Sequence, residues 1–139
     1  MGERIFVDAN VFIALLNERD ALHRRAVEVV SAFRERDLLS VTSNFVISEV
    51  ITVLSQRSGK RAALFFADSL YREKAHIQVI TVDSQVEMRA LDYLRMVESK
   101  NVSFCDCVSR ALMEVFGIKK IATFDRDFRI KNAPYEIIH

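Results

Sequence analysis

The chain has 139 residues, half of them hydrophobic, with three Gly, one Pro and a formal net charge of +1; this is the make-up of one element-rich domain with a real core, and it excludes a disordered or low-complexity protein. A near-neutral balance supplies no global field for nucleic acid, so any RNA contact has to come from a local patch. Two cysteines, no secretory leader and no apolar run long enough to span a bilayer indicate a reduced, cytoplasmic setting without membrane attachment.

Residues 4–7 read as a short buried strand and 9–17 as a first helix. Asp20 is placed to cap a second helix, in which Leu22, Ala26, Val29, Val30 and Phe33 recur at helical spacing. Residues 38–42 form a second strand, and 44–57 a helix that Gly59 stops in the left-handed conformation. The next helix, 61–72, buries Ala63, Phe66, Ala67 and Leu70; Phe65 widens that stripe beyond what one small core needs and calls for a partner helix. A third strand covers 77–82 and is followed by a helix from Ser84 to about residue 98. Ser103 opens another helix, which runs to 116 and stops at Gly117. Residues 120–123 give a fourth strand and 135–138 a fifth. Strands alternating with helices over short connections predict a single α/β domain over 1–139. It has three layers, α/β/α, around a mainly parallel, roughly five-stranded sheet.

In such sheets ligands sit outside the carboxyl ends of the strands, and the acids of this chain concentrate there. Asp8 follows the first strand directly, and Asp125 lies two residues beyond the fourth, in "IATFDRDF". If these strands are neighbours, the two carboxylates converge. Glu49, in "SNFVISEV", stands at the border of an apolar helix face, half inside the protein and near the same rim. Asp106, in "SFCDCVSRALM", falls in the first turn of its helix. Each acid also has a local use. Asp8 is placed to cap the helix at Ala9, and Glu49 to reach water from a helix border. Asp106 completes a capping box with Ser103 or pairs with Arg110 one turn on. Asp125 and Asp127 fit a turn. Asp83 also ends a strand, but Ser84 and Glu87 make a capping box beside it, so it is read as a helix start.

Gathered at one rim without a counter-charge, these acids repel. Two unit charges ~4 Å apart at an effective dielectric of about 20 cost about 4 kcal/mol, a large share of the roughly 5–15 kcal/mol that holds a domain together. Either some of the acids are protonated or a cation sits among them. Hard carboxylate oxygens select Mg²⁺ or Mn²⁺, with Asn10 placed to orient a metal-bound water, and such a site suits phosphodiester hydrolysis. Cys105 and Cys107 do not make a metal pair, because helical residues two apart point to nearly opposite sides; His23, His76 and His139 lack ligand spacing. "SGKRA" ends like a phosphate-binding loop, but Leu54 occupies the position of its first Gly.

With these residues in place, the chain resembles the PIN-domain family of nucleases, and within it the short VapC-type toxins, over nearly its whole length. "FVDANVFIALLN" is similar to the family's first motif, here Asp8 and Asn10. "SNFVISEV" is similar to the second, with Glu49, and "SFCDCVSRALM" to the third, with Asp106. "IATFDRDF" matches the fourth through Thr123 and Asp125, with Asp127 as an accessory, and "DALHRRA" resembles a recurrent stretch near the second helix. Cys on both sides of the third acid departs from the small apolar residues that often surround it. The resemblance implies Mg²⁺- or Mn²⁺-dependent RNA cleavage by Asp8, Glu49, Asp106 and Asp125. It also implies a homodimer and a VapB-type antitoxin partner. RNA would further require cations, for which Arg57, Lys60, Arg61, Arg126 and Arg129 are the candidates. Two other readings compete. One is a haloacid-dehalogenase-like phosphatase with Asp8 as nucleophile, which Asn10 at the second position of its DxD pattern disfavours. The other is a non-catalytic, metal-stabilised module that binds RNA or protein.

Overall fold

The computed structural model describes residues 2–72 and 76–139. Strand β1 (Glu3–Val7) is followed by helices α1 (Ala9–Leu16) and α2 (His23–Glu35), and β2 (Leu38–Ser43) by α3 (Asn44–Arg57) and α4 (Lys60–Tyr71). Strand β3 (Ile77–Ile80) leads into α5 (Ser84–Met96) and α6 (Phe104–Phe116). Then come β4 (Lys120–Ala122), a single 3-10 turn (Arg126–Phe128) and β5 (Glu136–Ile138). The five strands pair in the order β3-β2-β1-β4-β5, and every pairing is parallel.

Strand β1 lies at the centre because it is apolar on both faces: Ile5, Phe6 and Val7 are at most 2 % exposed, as expected of a strand covered by helices above and below. The chain first moves outward from β1 to β2 and β3, then crosses back to β4 and β5. Right-handed crossovers therefore send α1 to α4 to one face and α5 and α6 to the other. Helix α6 contributes Val108, Ala111, Leu112 and Met113 to the core, and α3 contributes Val46, Ile47, Val50 and Leu54. The strand order reverses between β1 and β4, and a crevice opens at such a point. Phe6 pairs with Ile121 and Val7 with Ala122 there, so β1 and β4 are neighbours as the convergence of Asp8 and Asp125 requires.

Several local expectations are corrected. Asp20 does not cap α2, whose N-cap is Leu22 with no side-chain bond; the Asp20 carboxylate accepts the N–H of Leu22, two residues on, just ahead of the helix. Gly59 is not a left-handed helix stop. At φ 98°, ψ 161° it precedes α4 in a region essentially reserved for glycine, and α4 begins at Lys60. The left-handed stop is found at Gly117, with φ 67° and ψ 30°. Helix α5 is capped by Asp83, which accepts the Val86 N–H, and not by Ser84; the preceding strand ends at Ile80 and the helix at Met96. Strands β4 and β5 are each shorter by one residue than expected. Asp106 does not pair with Arg110, whose guanidinium stacks 4.2 Å from the centre of the Tyr93 ring.

Candidate active site

The carboxyl ends of β1 and β4 are locked together by side chains. Asp8 is 4 % exposed and both of its oxygens are engaged. Oδ1 accepts the Ala9 N–H at 2.8 Å, capping α1. Oδ2 accepts the Thr123 hydroxyl at 2.7 Å and the Asn10 amide at 3.4 Å. Thr123 Oγ1 in turn accepts from Asn10 Nδ2 at 3.2 Å and from the Asp125 N–H at 3.0 Å, which uses the full capacity of a hydroxyl. Asn10 Oδ1 receives the Phe124 N–H. Asn10 is thus a staple between β1 and the loop after β4, and its amide hydrogens are spent on Asp8 and Thr123, not on a water.

The other acids reach this point from different elements. Ser43 caps α3 by accepting the Val46 N–H, which sets the helix so that Glu49, Val53 and Arg57, four residues apart, run along one wall of a cleft of about 380 Å³. Glu49 lies on that wall with part of its side chain open to water, as its place at the helix border implies. Asp106 makes the expected capping box: its N–H donates to Ser103 Oγ and its Oδ2 accepts the Ser103 N–H, both at 3.1 Å. Capping does not remove it from the cleft, because an N-cap box at the start of α6 sits on the rim. Asp125 caps the 3-10 turn through the Asp127 N–H and still faces the cleft. Asp8, Glu49, Asp106 and Asp125 all line the same depression, joined by Asn10.

Two further residues belong to this wall. Asp20 and Asn101 line the cleft from the α1–α2 and α5–α6 connections. Sequence spacing gave Asp20 only a helix-start role, and nothing local signals Asn101. Asp127 is exposed on the 3-10 turn and lies outside the cleft lining. Among the basic candidates, Arg57 lines the cleft, whereas Lys60, Arg61, Arg126 and Arg129 are exposed and do not line it.

The electrostatics match an acid cluster without a counter-charge. Burial pushes the Asp8 carboxyl up to about 7; the Thr123 hydroxyl and the Ala9 N–H oppose this, and the charges of Asp106 and Glu49 add to it. Glu49 is raised by desolvation at the wall, then by Asp106 and Asp125. Asp106 is raised by burial and by Asp125 and Asp127, against the two Ser103 hydrogen bonds. Burial and the same acids hold the Cys105 thiol far above its ordinary range.

The donor set suits a hard divalent ion. Asp8 Oδ1, Asp106 Oδ1 and Asp125 Oδ2 each keep a lone pair beyond their hydrogen bonds to protein, and Glu49 makes no such bond among the described residues. Among the described residues no three His, Cys, Asp or Glu side chains meet closely enough to hold one ion as they stand, so binding requires side-chain rotation, for which unrestrained Glu49 is best placed.

A parallel α/β/α sheet whose switch point gathers carboxylates from β1, α3, α6 and the loop after β4 defines an acid-cluster nuclease. The PIN domain profile matches residues 5–133. Over 124 residues the chain is 34 % identical to the 23S rRNA-specific endonuclease VapC20 of Mycobacterium tuberculosis, covering 89 % of this chain and 91 % of that protein. The crystal structure of that VapC20, a Sarcin-Ricin loop cleaving toxin, superposes with a TM-score of 0.78 at 32 % identity, over 88 % of this chain and 91 % of the other. The fold is shared at 16 % identity by a toxin–antitoxin complex from Klebsiella pneumoniae, with a TM-score of 0.66 over 96 % of this chain and 99 % of that chain. It is shared at 12 % identity by VapBC2 from Rickettsia felis bound to a fragment of its promoter, with a TM-score of 0.65 over 96 % of both chains. The chain belongs to the PIN domain family, among its VapC-type ribonucleases, and the phosphatase and non-catalytic readings are set aside.

Proposed function

We propose that this protein is the toxin of a toxin–antitoxin pair, an endoribonuclease that depends on Mg²⁺ or Mn²⁺ held by Asp8, Glu49, Asp106 and Asp125. The observation that carries the proposal is the lining of one cleft by four carboxylates from four separate elements. Burial first, and their mutual repulsion second, raises Asp8, Glu49 and Asp106, and a divalent cation would relieve both. Such an ion polarises a phosphoryl oxygen and favours hydroxide over water. The protein's part is orientation: Thr123 and Asn10 fix Asp8, the Ser103 box fixes Asp106, and the 3-10 turn fixes Asp125. Arg57 stands on the cleft wall, where its guanidinium suits a phosphate.

The likeness to VapC20 makes a structured loop of 23S rRNA the first substrate to try. A VapB-type antitoxin and a second copy of the chain are the proposed protein partners. Helix α4 carries exposed Leu64, Phe65 and Tyr71, and α5 carries exposed Met88, Leu91 and Met96; apolar faces of this kind favour protein contacts. No helix among the described residues is long and apolar enough to cross a membrane. The reading is tested by incubating the purified protein with end-labelled 23S rRNA in Mn²⁺, Mg²⁺ or EDTA. Discrete cleavage with either metal and none with EDTA supports it; intact RNA in every lane refutes it.

A further inference from the structure

A second depression, of about 710 Å³, runs along α2 beside the acid cleft. Arg24, Arg25, Glu28 and Ala32 stand on its helical wall, and Ile138 at the end of β5 faces them. Leu22 lines both depressions, so they lie side by side. Their charges are opposite in kind. The cleft carries the carboxylates of Asp8, Asp20, Glu49, Asp106 and Asp125 against Arg57, whereas the groove presents two guanidinium groups and His139 against Glu28. Among the described residues, Arg36, Arg72, Arg89 and Arg95 are held in ion pairs, while neither Arg24 nor Arg25 is. Glu28 lies one turn after Arg24, which is the less favourable order for pairing on a helix. The two side chains are exposed and free to meet a ligand.

We infer that this groove receives the RNA strand on one side of the scissile phosphate, with Arg24 and Arg25 as positioning residues on its phosphates. The inference rests on the ribonuclease reading and extends the substrate path beyond the cleft. A polyanion entering a ring of carboxylates is repelled, and the chain's net charge of +1 gives no compensating field. Cations flanking the cleft must therefore grip the strand. Arg57 does so on the α3 wall, and the α2 groove supplies the other grip. From Arg24 to Ala32 the helix rises about 12 Å, enough for a strand to lie along it and not merely touch it. Contacts to phosphates fix the strand's place and direction without reading its sequence.

The test measures binding, separately from cleavage, in the Asp8→Asn background. Two fluorescein-labelled oligouridylates serve as probes, one long enough to cross both depressions and one too short to leave the acid cleft. Adding Arg24→Ala and Arg25→Ala should weaken binding of the long probe by about tenfold and lower its salt slope by about 1.4, the share of two single-strand phosphate contacts. The short probe should bind as before, and Arg95→Ala, a charge removed elsewhere on the surface, should change neither. Unchanged affinity and slope for the long probe would overturn the inference. So would an equal loss with Arg95→Ala. Because the readout is association, a wild-type protein that binds but does not cut RNA would count against the nuclease reading and leave the groove's role decided.

Discussion

Thr123 donates its hydroxyl proton to Asp8 Oδ2 over 2.7 Å, tying the loop after β4 to the end of β1 across a separation of 115 residues. Thr123 Oγ1 itself accepts from the Asn10 amide and the Asp125 N–H. One buried hydroxyl thus sets the relative positions of three residues of the acid motifs.

Thr123→Val keeps the shape and removes that hydroxyl, leaving a buried carboxylate oxygen and two N–H donors without this partner. A loss of about 1–3 kcal/mol of stability is expected, read as a lower urea midpoint. Asp8 should also titrate at higher pH, because a donor that favours its charged form is gone. Thr123→Ser should retain most of both. Equal stability of the Val and Ser variants would show that the hydroxyl is dispensable.

The metal-free protein should lose stability as pH rises. Asp8 is lifted from 3.8 to about 7, so between roughly pH 4 and 7 the folded protein holds a proton that the unfolded chain has released. At about 1.4 kcal/mol per pH unit, the difference approaches about 4 kcal/mol and is complete above pH 7. Glu49 and Asp106 shift in the same direction, whereas Glu114 and Glu136 are lowered in exposed ion pairs that count for little. Urea unfolding in EDTA should give lower stability at pH 8 than at pH 5, with a shallower decline in Asp8→Asn. A flat profile in the native protein would contradict the burial of Asp8.

Divalent metal should reverse that penalty. An ion bound only by the folded state at a hundred times its dissociation constant adds about 2.7 kcal/mol, or a rise of about 5–10 °C in Tm. Scanning calorimetry with Mn²⁺ should show a gain that grows from pH 6 to 8, as the ligands deprotonate. Asp8→Asn, Glu49→Gln and Asp125→Asn should each reduce it sharply. An equal rise in all of these variants would place the ion elsewhere.

Asp106 has two duties, and two substitutions separate them. Ser103→Ala removes a helix cap worth about 1 kcal/mol but leaves the carboxylate in the cleft, so cleavage should fall only modestly. Asp106→Asn retains an acceptor for the Ser103 N–H and removes the charge; the fold should persist, seen by circular dichroism, while cleavage is lost. Similar activity losses in the two variants would mean that the cap, and not the charge, is what matters.

Asp8, Asp106 and Asp125 were legible in the sequence because each sits near a strand end or a helix start, and Glu49 because it borders an apolar helix face; the hydrophobic pattern marks all of these points. Strand adjacency was the missing information. Asn10 could be assigned to a water only as long as β4 was not known to lie beside β1; once it does, Phe124 and Thr123 occupy its amide. Asp20 illustrates a second limit, since its bond to the Leu22 N–H is local but its place on the cleft wall depends on how the α1–α2 connection folds back. Glu49 shows a third: a helical wheel locates the border of the apolar face but not how much of it water reaches. The groove along α2 needed Ile138 to close it, and that residue is more than a hundred positions away from Arg24.

The pairing of β1 with β4 has a consequence for folding. Asp8 and its partner Thr123 lie 115 residues apart, and closing so long a loop is the slow, entropically costly part of such a topology. The carboxylates come together only once that loop has closed. A partly folded chain therefore holds no complete blade.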